Sequence, residues 1–150
     1  MTPFELAQRY VGIQEIGGTV DHPLIVWWLS LCGMGVASPD ETPWCSAFVN
    51  GVAWTLRLPR SKSAAARSWL LCGVPKAKDL SDAEVGWDVV ILKRGSGAQP
   101  GPETIAAPGH VGFYAGVEGD YVLVLGGNQS NSVSLAKFRR DDVLGVRSLA

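Results

Sequence analysis

Glu41-Thr42-Pro43-Trp44-Cys45-Ser46-Ala47-Phe48-Val49-Asn50 reads as the start of a helix that carries a thiol in its first turn. Thr42 suits the N-cap, where its hydroxyl can accept from a free backbone N–H, and Pro43 suits the first helical position, where a missing N–H costs nothing. The unpaired N–H groups and the helix dipole then favour a thiolate at Cys45 over the ordinary thiol, whose pKa is about 8.5. Phe48, Val49, Val52, Ala53 and Leu56 recur at helical spacing, so one face should be buried and the sulfur held at a solvent-reachable tip. Against this stands the plainer reading, a small buried cysteine at a helix start. Pro43-Trp44 before it and the small Ser46 and Ala47 after it favour the reactive one.

Working outward, two more capped helices precede this one. Thr2-Pro3-Phe4-Glu5 combines an N-cap, an N1 proline and a capping-box glutamate, and Gly12 should end that helix. Asp21-His22-Pro23 opens the next, which runs to about Cys32 and is apolar nearly all round, with His22 in the cap region. Ser63 to Cys72 reads as a fourth helix closed by Gly73. From Val85 the texture changes to strands: Trp87–Leu92, His110–Val117, Tyr121–Leu125, Ser132–Ala136 and a last one over Leu144–Leu149. Helices followed by a strand meander predict an α+β domain spanning 1–150, with no repeat, linker or second module. Lys93 to Gly109, rich in glycine and proline, is expected to wall a binding cleft.

Composition narrows the function classes. Apolar residues make up 47% and charged residues 18%, with a net charge of −1, so nothing pulls the whole chain towards nucleic acid. Charge is sorted, however. Residues 42–78 carry Arg57, Arg60, Lys62, Arg67, Lys76 and Lys78 and no acid, which reads as a solvated basic face or a contact for an anionic polymer. Cys32, Cys45 and Cys72 show no paired spacing, so neither a disulfide framework nor a structural zinc is expected, and no metal or other cofactor. Leu24–Ala37 is too short to span a membrane, which takes roughly 20 residues. No secretory signal is read at the start, so the product is expected to be made in the cytoplasm and to need another agent to carry it across a membrane.

A base is supplied by the hairpin. Centred on Gly119, it pairs His110 with Asn128 and Gly112 with Gly126 on one face, while Val111, Phe113 and Leu125 face the core. The glycine pair leaves a groove for a close helix tip. Cys45, His110 and Asn128 then form a nucleophile, base and orienter set.

Pro43-Trp44-Cys45-Ser46-Ala47-Phe48-Val49, Gly109-His110-Val111-Gly112-Phe113-Tyr114 and Val124-Leu125-Gly126-Gly127-Asn128-Gln129-Ser130-Asn131, in this order, resemble the papain-like peptidoglycan hydrolases of the CHAP and NlpC type, in a branch common among phage endolysins. The resemblance runs from Gly12-Ile13-Gln14-Glu15 to Leu144-Gly145-Val146-Arg147, and departs from the family at Trp87-Asp88, where Gly-Asp is usual. It implies a papain-like fold, N-terminal helices on a C-terminal antiparallel sheet, with Cys45 as nucleophile, His110 as base and Asn128 as orienter. Gln14, Glu15, Trp44 and Gln129 are expected to line the substrate site. The implied substrate is the peptide part of the bacterial cell wall, cut at muramoyl–L-alanine or within the stem, by a monomer that neither binds nucleic acid nor inserts into a membrane. An antibacterial effector of the same chemistry and a silent wall-binding or virion domain are the alternatives; the intact Cys, His and Asn speak against the silent ones.

Overall fold

A computed structural model describes residues 1–16, 22–33, 43–95 and 98–150. Among the described residues three helices, α1 (Pro3–Gln8), α2 (Pro23–Ser30) and α3 (Cys45–Thr55), precede six strands: β1 (Val74–Lys76), β2 (Asp88–Lys93), β3 (Gly109–Glu118), β4 (Tyr121–Gln129), β5 (Ser132–Arg139) and β6 (Val143–Ser148). The strands form one antiparallel sheet in the order β1-β6-β2-β3-β4-β5. This is an α+β architecture. Among the described residues no helix is long and apolar enough to cross a membrane.

The capping box at Thr2 and Glu5 forms as its sequence dictates, with Glu5 N donating to Thr2 Oγ1 at 3.1 Å and Thr2 N to Glu5 Oε2 at 2.8 Å. The helix nevertheless ends at Gln8, short of Gly12. Gly12 instead donates to Val133 O and Glu15 to Asn131 O, which ties the following segment to the β4–β5 hairpin. The second helix is capped by His22, in the cap region as expected, and its Nδ1 accepts from Leu24 N; Asp21 lies outside the described residues. Between Ser63 and Cys72 the expected α-helix is a 3₁₀ segment, Ala66–Leu71. Its serines explain this. Ser63 Oγ accepts from Ala65 N and Ser68 Oγ donates to Ala65 O, so local side-chain bonds compete with α-helical ones. β1 was not expected, and Pro75 within it suits only a sheet edge, which is where it lies.

α3 is buried from Cys45 to Ala53 and sits between α2 and the sheet. Gly51 is needed there, since a Cβ would collide with the Trp28 indole. On the other side Phe48 meets Phe113 edge-to-face, 6.0 Å between centroids. Val111, Phe113 and Leu125 therefore share the helix-side core, while Leu92, Tyr114, Val122 and Val124 build a second core on the far face.

The hairpin register departs from expectation at two bulges. Phe113 pairs with Leu125 and Tyr114 with Val124 as expected, but a bulge at Ala115 shifts the outer pairs to Val117–Val122 and Glu118–Tyr121. β4 then loses its regular pairing with β5 between Gly126 and Gln129, with Asn128 in the left-handed region at φ 56°. The groove expected at Gly112 and Gly126 does not face the helix. A Cβ on Gly112 would strike Val124, on the far face, whereas one on Gly127 would lie 2.7 Å from Trp44 Cζ3 and 2.8 Å from Phe48 Cβ. The helix comes close at Gly127.

Candidate active site

Trp44, not Thr42, is the N-cap residue of α3, and it makes no side-chain cap bond. Thr42 lies outside the described residues, and Pro43 stands before the helix. What fixes this start is distant in sequence: Glu15 Oε1 accepts from Trp44 Nε1 at 2.6 Å, and Trp44 O accepts the first helical bond from Phe48 N. Trp44 is wholly buried and stacked on Trp28, and Glu15 is spent on its indole. Together they set the angle at which the helix begins. Gln14 is exposed and bridges to Ser132.

Cys45 is the first residue of the helix, 1% exposed. Its thiol is pushed up, because burial outweighs the backbone hydrogen bonds from Val111, Ser46 and Cys45 itself and the attraction of Arg94. The expected exposed thiolate is thus a buried neutral thiol in this state. The helix tip does supply the N–H groups; the apolar surroundings cancel their effect. Behind the sulfur a polar lattice holds the turn. Ser46 Oγ donates to Ser63 O and accepts from Trp69 Nε1, and Asn50 Oδ1 accepts from Lys62 N.

His110 is 4% exposed and belongs to the far face, stacked on Phe138 at 5.0 Å. Its Nε2 lies 2.9 Å from Gln129 Oε1. The bulge makes this possible, turning Gln129 inward beside the ring, while half-buried Asn128 lines the cleft in front. The side chain against the imidazole is therefore Gln129, where Asn128 was expected. The amide's own bonds decide its orientation: Gln129 Nε2 donates to Ser134 O at 2.6 Å and Val124 O at 3.2 Å, so Oε1 must face the imidazole. The ring nitrogen meeting it must donate, which puts the proton on Nε2 and the free lone pair on Nδ1. Burial pulls the His110 pKa down to about 4, Arg94 adds to that, and the Gln129 bond partly opposes it. Among the described residues no hydrogen bond joins thiol to imidazole; the sulfur meets β3 at the Val111 backbone, one residue on.

Two clefts open around this strand end. One is lined by Pro43, Cys45, Ala66, Arg94, Pro108 and Gly109; the other by His110, Asn128, Gln129, Lys137, Arg94 and their neighbours. Both ends of the loop between β2 and β3 contribute. Its far end is pinned by Arg67, which is fully buried and donates through Nε to Pro108 O and through Nη1 to Pro100, Gly101 and Thr104 O. Among the described residues no group of three His, Cys, Asp or Glu is placed to hold a metal ion. Cys32 and Cys72 are half-buried, and burial raises the Cys32 pKa to about 11.

Sequence reasoning set Gln129 in the substrate site and not against the imidazole, and did not single out Arg67 or Arg94. One signal was available for the first: Asn is among the few side chains at ease in the left-handed region, so Asn128 was the natural bulge residue. No protein-family model matches the chain, and no curated protein matches it.

Proposed function

We propose that this chain is a thiol amidohydrolase of papain-like design that cleaves an amide in the peptide part of bacterial peptidoglycan. The observation that carries the chemistry is the His110–Gln129 pair, an imidazole held by an amide that is itself held by two backbone carbonyls. A histidine fixed in one tautomer, with its basic nitrogen unused by that partner, beside a strand that touches a helix-tip thiol supports a nucleophile–base–orienter reading. The wall peptide as substrate rests on the three motifs around Cys45, His110 and Gln129.

In this reading Nδ1 of His110 takes the Cys45 proton as Sγ attacks the amide carbon. In this state the two groups stand on opposite faces of β3, so attack in this reading requires the strand end to bring the ring round to the sulfur. Backbone N–H groups at the α3 tip, those of Cys45 and Ser46, receive the oxyanion. The C–N bond breaks as the imidazolium returns its proton to the leaving amine. Water, deprotonated by the same ring, then cleaves the thioester. Gln129 holds the ring without adding negative charge, which keeps the resting pair neutral. The protein would work as a monomer, without metal, on the wall side of a membrane it does not itself enter.

Isolated peptidoglycan incubated with purified protein tests this, with mass spectrometry of the released fragments naming the bond. Clearing is expected to survive chelator, to stop on thiol alkylation and to vanish in Cys45→Ala, while Cys32→Ala and Cys72→Ala keep it. Lysis by Cys45→Ala at a comparable rate refutes the assignment.

A further inference from the structure

Arg94 follows the last residue of β2 and is the one side chain common to the cleft beside Cys45 and the cleft beside His110 as described. It is half-buried, yet none of the three ion pairs among the described residues includes it: those join Lys76 to Asp88, Lys137 to Glu118 and Arg139 to Asp141. Asp142 shares the His110 cleft but lies beyond ion-pair distance of it. Lys93 and Lys137 line the same cleft, so the wall around the imidazole carries three cations and one acid.

Nothing about the two reacting groups alone explains a cation here. Its field favours a thiolate at Cys45 and opposes an imidazolium at His110, so it does not stabilise the charged pair as a unit. An anion arriving with the substrate would change that, leaving the imidazolium free to form during attack. A planar guanidinium is also the side chain suited to a carboxylate, which it can grip with two parallel bonds.

We infer that Arg94 receives a carboxylate of the substrate, so that the site selects amides flanked by a free acid; resting on the hydrolase reading, this makes the preferred wall peptide one whose stem carboxylates are not amidated. The test separates binding from turnover. Two soluble muropeptides, identical except that the stem carboxylates of one are amidated, are titrated by calorimetry into the full chain carrying Cys45→Ala. The free acid is expected to bind at least about 10-fold more tightly, as a charge-assisted bond implies. Adding Arg94→Ala should collapse that ratio towards one, and Arg94→Lys should restore part of it. Equal binding of the two peptides, no binding of either, or a preference that survives Arg94→Ala overturns the inference. Should Arg94-dependent binding hold while the unaltered chain cleaves neither peptide nor intact wall, the hydrolase reading falls and the anion site stands.

Discussion

Acidification forces a proton towards a ring that the fold keeps neutral, and the cost is readable from His110. Its pKa falls from an ordinary 6.5 to about 4 because the imidazole is buried against Phe138 and Gln129 with Arg94 nearby. Each pKa unit corresponds to 1.36 kcal/mol, so the difference between folded and unfolded chains amounts to about 3 kcal/mol. The sign follows from which state binds the proton. Above about pH 6.5 neither does and stability is full; between there and about pH 4 only the unfolded chain does, so stability falls; below that both do and the loss levels off. Against a typical total of about 5–15 kcal/mol this is a large fraction. Urea denaturation at pH 7, 6, 5 and 4 measures it when the unaltered chain is compared with His110→Gln. That substitution removes the titration, while carboxylates and His22 contribute equally to both and cancel. The unaltered protein should lose about 3 kcal/mol more than the variant over this range. Parallel curves for the two would show that His110 is not held neutral by its surroundings, and the account of the resting site would fail with it.

Two further outcomes follow from the site's scaffolding. Gln129→Ala should lower wall-clearing turnover about 100-fold and cost about 2–3 kcal/mol, since it frees the ring and strands two carbonyls. Asn128→Gly, which suits φ 56°, should keep turnover and change stability by less than about 1 kcal/mol; the opposite ranking in side-by-side kinetics and denaturation would return the orienter to Asn128. Arg67→Met should destabilise by roughly 3 kcal/mol through four lost carbonyl bonds, and limited proteolysis should then cut within residues 98–108 before any other segment. Cleavage elsewhere first would mean that Arg67 does not pin that loop.

The order of helices then strands was legible in the chain because its signals are local. A capping box needs only Thr2 and Glu5, and the largely apolar run His110–Val117 needs only its own residues to read as a strand. Cys45 at a helix start and His110 at a strand start could be read the same way. What the thiol experiences could not. Its helix-tip setting argues for a thiolate, and only the packing of the sheet, with Val111, Phe113 and Leu125, against that tip reverses the sign, because desolvation here comes from neighbours far away in sequence. The choice between Asn128 and Gln129 turned on a bulge, and displacement by one residue along a strand moves a side chain to the opposite face. In the sequence Arg67 is one of six bases in the acid-free stretch 42–78, and Arg94 one residue of the loop after the first expected strand. Their distinction comes from tertiary structure alone: one cation closes over carbonyls up to 41 residues away, and the other faces two clefts with no ion pair among the described residues.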